Sequence, residues 1–233
     1  MTIDNKLSKP DLKHQRSNRI IEFVLRNHTA TNEAIRREIL PDVSVSTAQK
    51  IISKLIKRGL LKRYRLHSSK SYVRLGPSAM ARWSYPPTYS KRLGPQVLPY
   101  LMGCLSLATY STPKVERLLP EELDSIVPGG FPKTRDLNQW AYYQTGDGGH
   151  DLLFTIRIEF RVGGDAVINK LSEQIHRYRQ HSCIAKLIAD GTFGVHVVTA
   201  TAEQEEAVHS AAVRIGFPVL LRTSHDPDLT CFL

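Results

Sequence analysis

The chain has 233 residues, 41% of them hydrophobic and 23% charged, with a formal net charge of +10. That length makes one large or two small domains, and the composition is that of a folded chain rather than a disordered one. The longest apolar stretch, Val97–Thr109, contains Pro99 and is shorter than the roughly 20 residues a bilayer span needs. The first residues lack the apolar centre of a signal peptide. Three widely spaced cysteines (Cys104, Cys183, Cys231) give no disulfide framework. A cytoplasmic location, with no membrane partner, is the expectation.

The charge is divided unevenly. Residues 1–92 hold 20 Lys and Arg against 6 Asp and Glu, a formal +14; residues 93–233 hold the other 12 against 16, a formal −4. A basic part joined to a mildly acidic one points to a nucleic-acid-binding module attached to something else.

The first elements read as three short helices and a hairpin. In Arg16–Asn27, the residues Ile20, Ile21, Phe23 and Val24 form a helical stripe. Thr31–Leu40 offers Thr31 as N-cap and Glu33 in the first turn, and Pro41 stops it. Ser44 or Ser46 caps a third helix with Ala48, Ile51, Ile52, Leu55 and Ile56 on one side. Its other side carries Thr47, Lys50, Ser53, Lys54 and Lys57, and Gly59 ends it. Two alternating runs follow, Leu60–Leu66 and Ser71–Leu75, around the polar tip His67–Lys70.

Residues 15–83, with a tail containing Tyr72, Leu75 and Pro77, resemble the winged helix-turn-helix superfamily. The resemblance implies a third helix in the major groove and a wing on the backbone or minor groove. It implies Ser46, Thr47, Gln49, Lys50, Ser53, Lys54 and Lys57 as DNA-facing residues of that helix. Gln49 suits adenine, and Lys50 suits guanine or phosphate. Arg63, Arg65, Lys70 and Arg74 are the expected wing contacts.

The organisation expected is a DNA-binding domain at 1–83, a linker at 84–114 and an α/β domain at 115–233. The stretch SYPPTYSKRLGPQVLP reads as linker, whereas Val97–Tyr110 fits either a connecting helix or a buried strand. Beyond it, Asn138–Thr145 and Asp151–Arg161 read as a hairpin around GDGGH. Asp165 is the expected cap of the next helix, followed by helix Ser182–Ala189 and strand Phe193–Thr201. Thr201 caps a helix ending at Gly216, and Pro218–Arg222 is the last strand. The fold class is therefore α+β: an N-terminal winged helix plus a C-terminal mixed α/β sandwich.

The second half resembles the restriction-endonuclease-like core in degenerate form. Ile158-Glu159, the glycine break, Lys170, Tyr178 and Val197-Val198-Thr199 make the whole chain similar to the replication-relaxation and plasmid mobilisation family. That resemblance implies carboxylates holding Mg²⁺ beside a scissile phosphate, with a Lys nearby. The candidates are Asp136, Glu159 and Lys170, with Asn138 at the alternative register. Arg161 stands where the active pattern wants Lys, and a guanidinium repels a cation. An ordinary strand face therefore accounts for Glu159 and Arg161 better than catalysis does. Glu159 is expected to pair with Arg161 or Lys170.

No cofactor and no metal site is expected, Mg²⁺ entering only with the nuclease reading. His176, His181 and Cys183 match no standard zinc spacing. Tyr142 and Tyr143 suit packing better than nucleophilic attack. Two functions remain. One is a DNA-binding replication or mobilisation factor, or a regulator, acting on duplex DNA, with a homodimer as an option. The alternative is a metal-dependent nuclease or relaxase that nicks DNA.

Overall fold

The computed structural model describes residues 9–67, 70–112, 114–119, 122–123, 127, 141–145, 151–159 and 163–232. The chain is mixed α and β and divides into two compact units, Met1–Val97 and Leu98–Leu233. Among the described residues no helix is long and apolar enough to cross a membrane.

The first unit begins with α1 (Lys9–Asn27), β1 (Ala30–Thr31), α2 (Asn32–Ile39) and α3 (Val45–Lys57). The hairpin β2 (Leu61–His67) and β3 (Lys70–Leu75) follows, then α4 (Pro77–Trp83) and a 3₁₀ turn, Pro87–Ser90. Thr31 caps α2 by accepting from the Ala34 N–H at 3.1 Å. Of the two serines that suit the α3 cap, Ser44 takes the role. Gly59 closes α3 with φ at +69°, where a side chain would be strained. β1 adds a short antiparallel edge to β3, giving the order β1-β3-β2. Ile20, Val24, Ile35, Leu40, Ile52, Leu55, Leu61, Val73 and Leu75 make one buried core, each large side chain contributing about 1.5–3 kcal/mol.

The second unit is built on a five-stranded sheet of order β4-β5-β6-β7-β8. Its strands are β4 (Glu116–Arg117), β5 (Ala141–Thr145), β6 (Asp151–Ile158), β7 (Phe193–Thr199) and β8 (Leu220–His225). The first three are antiparallel, and β6, β7 and β8 run parallel. The parallel connections carry α6 (Gly164–Tyr178), α7 (Ser182–Ala189) and α8 (Ala202–Ile215). Leu153, Phe193, Val195 and Val197 pack there on Val167, Leu171, Ile175, Ile184 and Val208.

Three expectations are settled or changed. Within the segment 84–114, the open choice for Val97–Tyr110 resolves to a helix, α5, and a 3₁₀ turn precedes it. That helix is buried from Leu101 to Cys104, with Pro99 in its first turn, and Tyr100 donates to the Ile156 carbonyl of β6 at 3.3 Å. Gly163, not Asp165, caps α6. The reason is space: a Cβ on Gly164 would lie 2.2 Å from the Ala207 carbonyl oxygen of α8, so the helix opens with a glycine against its neighbour. β8 runs on to His225, because its residues 194–199 partners on β7 extend that far. Residues 138–140, Arg161 and the turn at 146–150 lie outside the described residues.

Candidate nucleic-acid interface

The Ser44 hydroxyl accepts from the Thr47 N–H at 3.3 Å and donates to the Thr47 hydroxyl at 3.0 Å, with the Ser46 hydroxyl 3.2 Å away. One serine thus starts α3 and sets out a row of hydroxyls at the positive end of the helix. Ala48, Ile52 and Leu55 are buried. Ser46, Thr47, Gln49, Lys50, Lys54 and Lys57 are exposed, and Ser53 is half-buried. The residues expected to face DNA therefore share the solvent side of one helix. Val45, which periodicity alone did not single out, stands beside them and is 54% exposed.

On the hairpin, Arg63, Arg65 and Lys70 are exposed. Arg74 is not, and its expected role as a wing contact is corrected. It is 5% exposed and its guanidinium donates to the His28 and Thr88 carbonyls, each at 3.0 Å, and to the Lys91 carbonyl. Burial lowers its pKa below the ordinary guanidinium value, with Tyr72, Tyr64 and Tyr89 acting in the other direction. Three backbone acceptors satisfy a cation that has left water.

The Thr88 and Lys91 carbonyls belong to a strap, residues 85–93, lying on the face of the hairpin that carries Tyr64 and Tyr72. Tyr64 donates to the Ser90 carbonyl, and the Leu93 N–H donates to the Tyr72 hydroxyl at 3.2 Å. Tyr89 stacks on His28 with centroids 4.8 Å apart. Alternation along β2 and β3 places Lys62, Tyr64, Tyr72 and Arg74 on the strap side, and Leu61, Arg63, Arg65 and Val73 on the other.

In the second unit Glu159 follows the end of β6 and is 9% exposed. Its carboxylate accepts from Arg157 Nε at 2.6 Å and also meets Nη2 of the same guanidinium. Arg157, two residues back on the same strand face, is thus a partner of Glu159 that the sequence reading did not name; the expected pairing with Arg161 falls outside the described residues. Lys170 is exposed on α6. Asp136 and Arg161 lie outside the described residues, as do the side chains of Tyr142 and Tyr143. Among the described residues no group of three or more His, Cys, Asp or Glu could hold a metal.

The other face of that sheet opens into a cleft of about 460 Å³ beneath the end of α5, with His196, Arg222 and Ser224 in its wall beside Leu107, Val115 and Val198. His196 interrupts an otherwise apolar strand. It shares a hydrogen bond of 2.9 Å with the Ser224 hydroxyl. Burial, and then the Arg222 charge, push its pKa down to about 4, so the imidazole is neutral at pH 7. Nothing in the local pattern of FGVHVVT marks it except that polarity.

Comparison with protein-family models, curated proteins and solved structures gave no match.

Proposed function

We propose that the first unit is a winged helix that binds duplex DNA, with α3 in the major groove and the β2–β3 hairpin on the backbone. The observation that carries this reading is the outward face of α3. Its polar and basic residues are exposed together in a stretch of chain with no Asp or Glu between Asp42 and Glu116. A surface of that sign displaces condensed counterions from phosphates. The tie to replication or mobilisation of a plasmid or mobile element rests on the sequence resemblance. The strand order of the second unit is compatible with a degenerate restriction-endonuclease-like core, and the Arg157–Glu159 pair supports a core without catalysis.

Fluorescence anisotropy on a labelled duplex, from low to moderate salt, tests the reading. Binding should weaken steeply with salt, and a flat response or no binding at low salt removes it. Gln49→Ala and Lys50→Ala should each cost about 1–3 kcal/mol at a preferred site if they read bases. Arg65→Ala should weaken all sequences alike. An Arg65 change that alters sequence preference, with the helix changes neutral, reverses the assignment of roles.

A further inference from the structure

We propose that the strap turns the hairpin into a ribbon that is basic on both faces, and that Lys62, Lys91 and Arg92 form a second phosphate-binding site opposite Arg63 and Arg65. The inference rests on the DNA reading above and adds a site to it.

A two-stranded hairpin standing out from its helices has one face toward them and one toward water. Here the face that carries Tyr64 and Tyr72 is covered. The Tyr64–Ser90, Arg74–Thr88, Arg74–Lys91 and Tyr72–Leu93 hydrogen bonds fasten the strap to it. Every one of those bonds is made by the strap's backbone, so none of them engages the Lys91 or Arg92 side chain. Lys91 and Arg92 are both exposed. Lys62, also exposed, holds its ammonium 5.3 Å from the Tyr64 ring centroid. The tyrosine that fixes Ser90 is therefore the same one that carries Lys62, and the backbone that bears Lys91 and Arg92 is tied to the same face of the hairpin.

Arg63 and Arg65 occupy the other side by strand alternation. DNA grooves are bordered by two phosphate ridges. A ribbon charged on one face neutralises one ridge; a ribbon charged on both faces reaches both. The chemistry recognised is the phosphodiester backbone on each side of one groove, without regard to base sequence.

The test uses the full chain with Lys91→Gln and Arg92→Gln together. These substitutions remove exposed charge and leave the backbone carbonyls that Arg74 and Tyr64 hold, and circular dichroism confirms the fold. The slope of log K against log salt should shrink by about two, at about 0.9 per phosphate released. Duplexes with neutral methylphosphonates along one ridge or the other give the second readout. The wild-type chain should lose affinity on both, and the double variant, which keeps Lys62, should become less sensitive to one ridge than to the other. An unchanged slope, or equal sensitivity to both ridges in the variant, overturns the second site while Arg63→Gln still lowers the slope and the DNA reading stands. Absence of salt-dependent binding by the wild-type chain overturns both.

Discussion

Two buried side chains occupy strand positions where an apolar residue would cost less: Arg74 on β3 and His196 on β7. They resolve the same conflict in opposite ways. Arg74 stays charged because a guanidinium starts far above neutrality, and three backbone carbonyls take the place of its water. His196 meets one hydroxyl and a neighbouring cation, and burial makes the neutral imidazole its stable form. Burial lowers the pKa of both groups, and the intrinsic basicity of each decides which one stays charged at pH 7. One residue organises backbone around itself while the other fits into a wall that exists without it.

The largest effect expected from this contrast is on Arg74. Arg74→Met leaves the His28, Thr88 and Lys91 carbonyls without their donor and should cost about 3–5 kcal/mol in urea unfolding. Arg74→Lys should recover only part of that, since a single ammonium cannot reproduce the fork. A loss below about 1 kcal/mol for Met would mean the carbonyls find other donors, and the contrast would fail.

His196 gives the next effect, through pH. Its folded pKa of about 4 lies below the ordinary value of 6.5, so between these values the unfolded chain binds the extra proton. Stability from this group is therefore whole above pH 6.5, falls as the pH drops, and levels off below about 4. The total is on the order of 3 kcal/mol. His196→Gln keeps a partner for Ser224 and removes the titration. The difference between wild-type and variant unfolding curves should grow across that window, and parallel curves would show that the histidine is not neutral in the fold.

Glu159 should matter least. Arg157 is more than a third exposed, so water takes up its charge when the carboxylate is removed. Glu159→Gln should change stability by less than about 1 kcal/mol, leave DNA affinity unchanged, and leave supercoiled plasmid intact with Mg²⁺, as in the wild type. Nicking by the wild-type chain that disappears in Glu159→Gln would establish the nuclease reading, with Asp136 the next carboxylate to replace.

How legible these features are in the sequence depends on what each one answers to. The α3 stripe, its serine cap and the Thr31 cap follow from contacts within a few residues, and the spacing of Ala48, Ile52 and Leu55 announces them. The burial of β7 was also legible, because FGVHVVT is apolar on both alternating faces. Arg74 was not. Alternation puts it on the side of the hairpin opposite Val73, which for an isolated wing is solvent, and the strap that covers it begins 11 residues later at Tyr85. Val97–Tyr110 is apolar almost all round, so no period separates helix from strand, and only its burial against β6 decides. The candidate interface is easier to read from sequence than the candidate catalytic set. Exposed basic residues declare themselves by charge, whereas a catalytic carboxylate is defined by its neighbours, and Glu159 has Arg157 beside it where the pattern looked to Arg161.

The strap also fixes where the chain can be cut. A fragment ending at Trp83, where the winged-helix pattern runs out, would keep β3 but discard the carbonyls of Thr88 and Lys91 and the cover over Tyr72. It would expose a large aromatic face and leave Arg74 with the His28 carbonyl alone of its three acceptors, and such a fragment should precipitate or unfold. A fragment carried through Val97 retains every one of those bonds, so the smallest self-sufficient piece of the first unit is set by the reach of one arginine and not by the last helix of its motif.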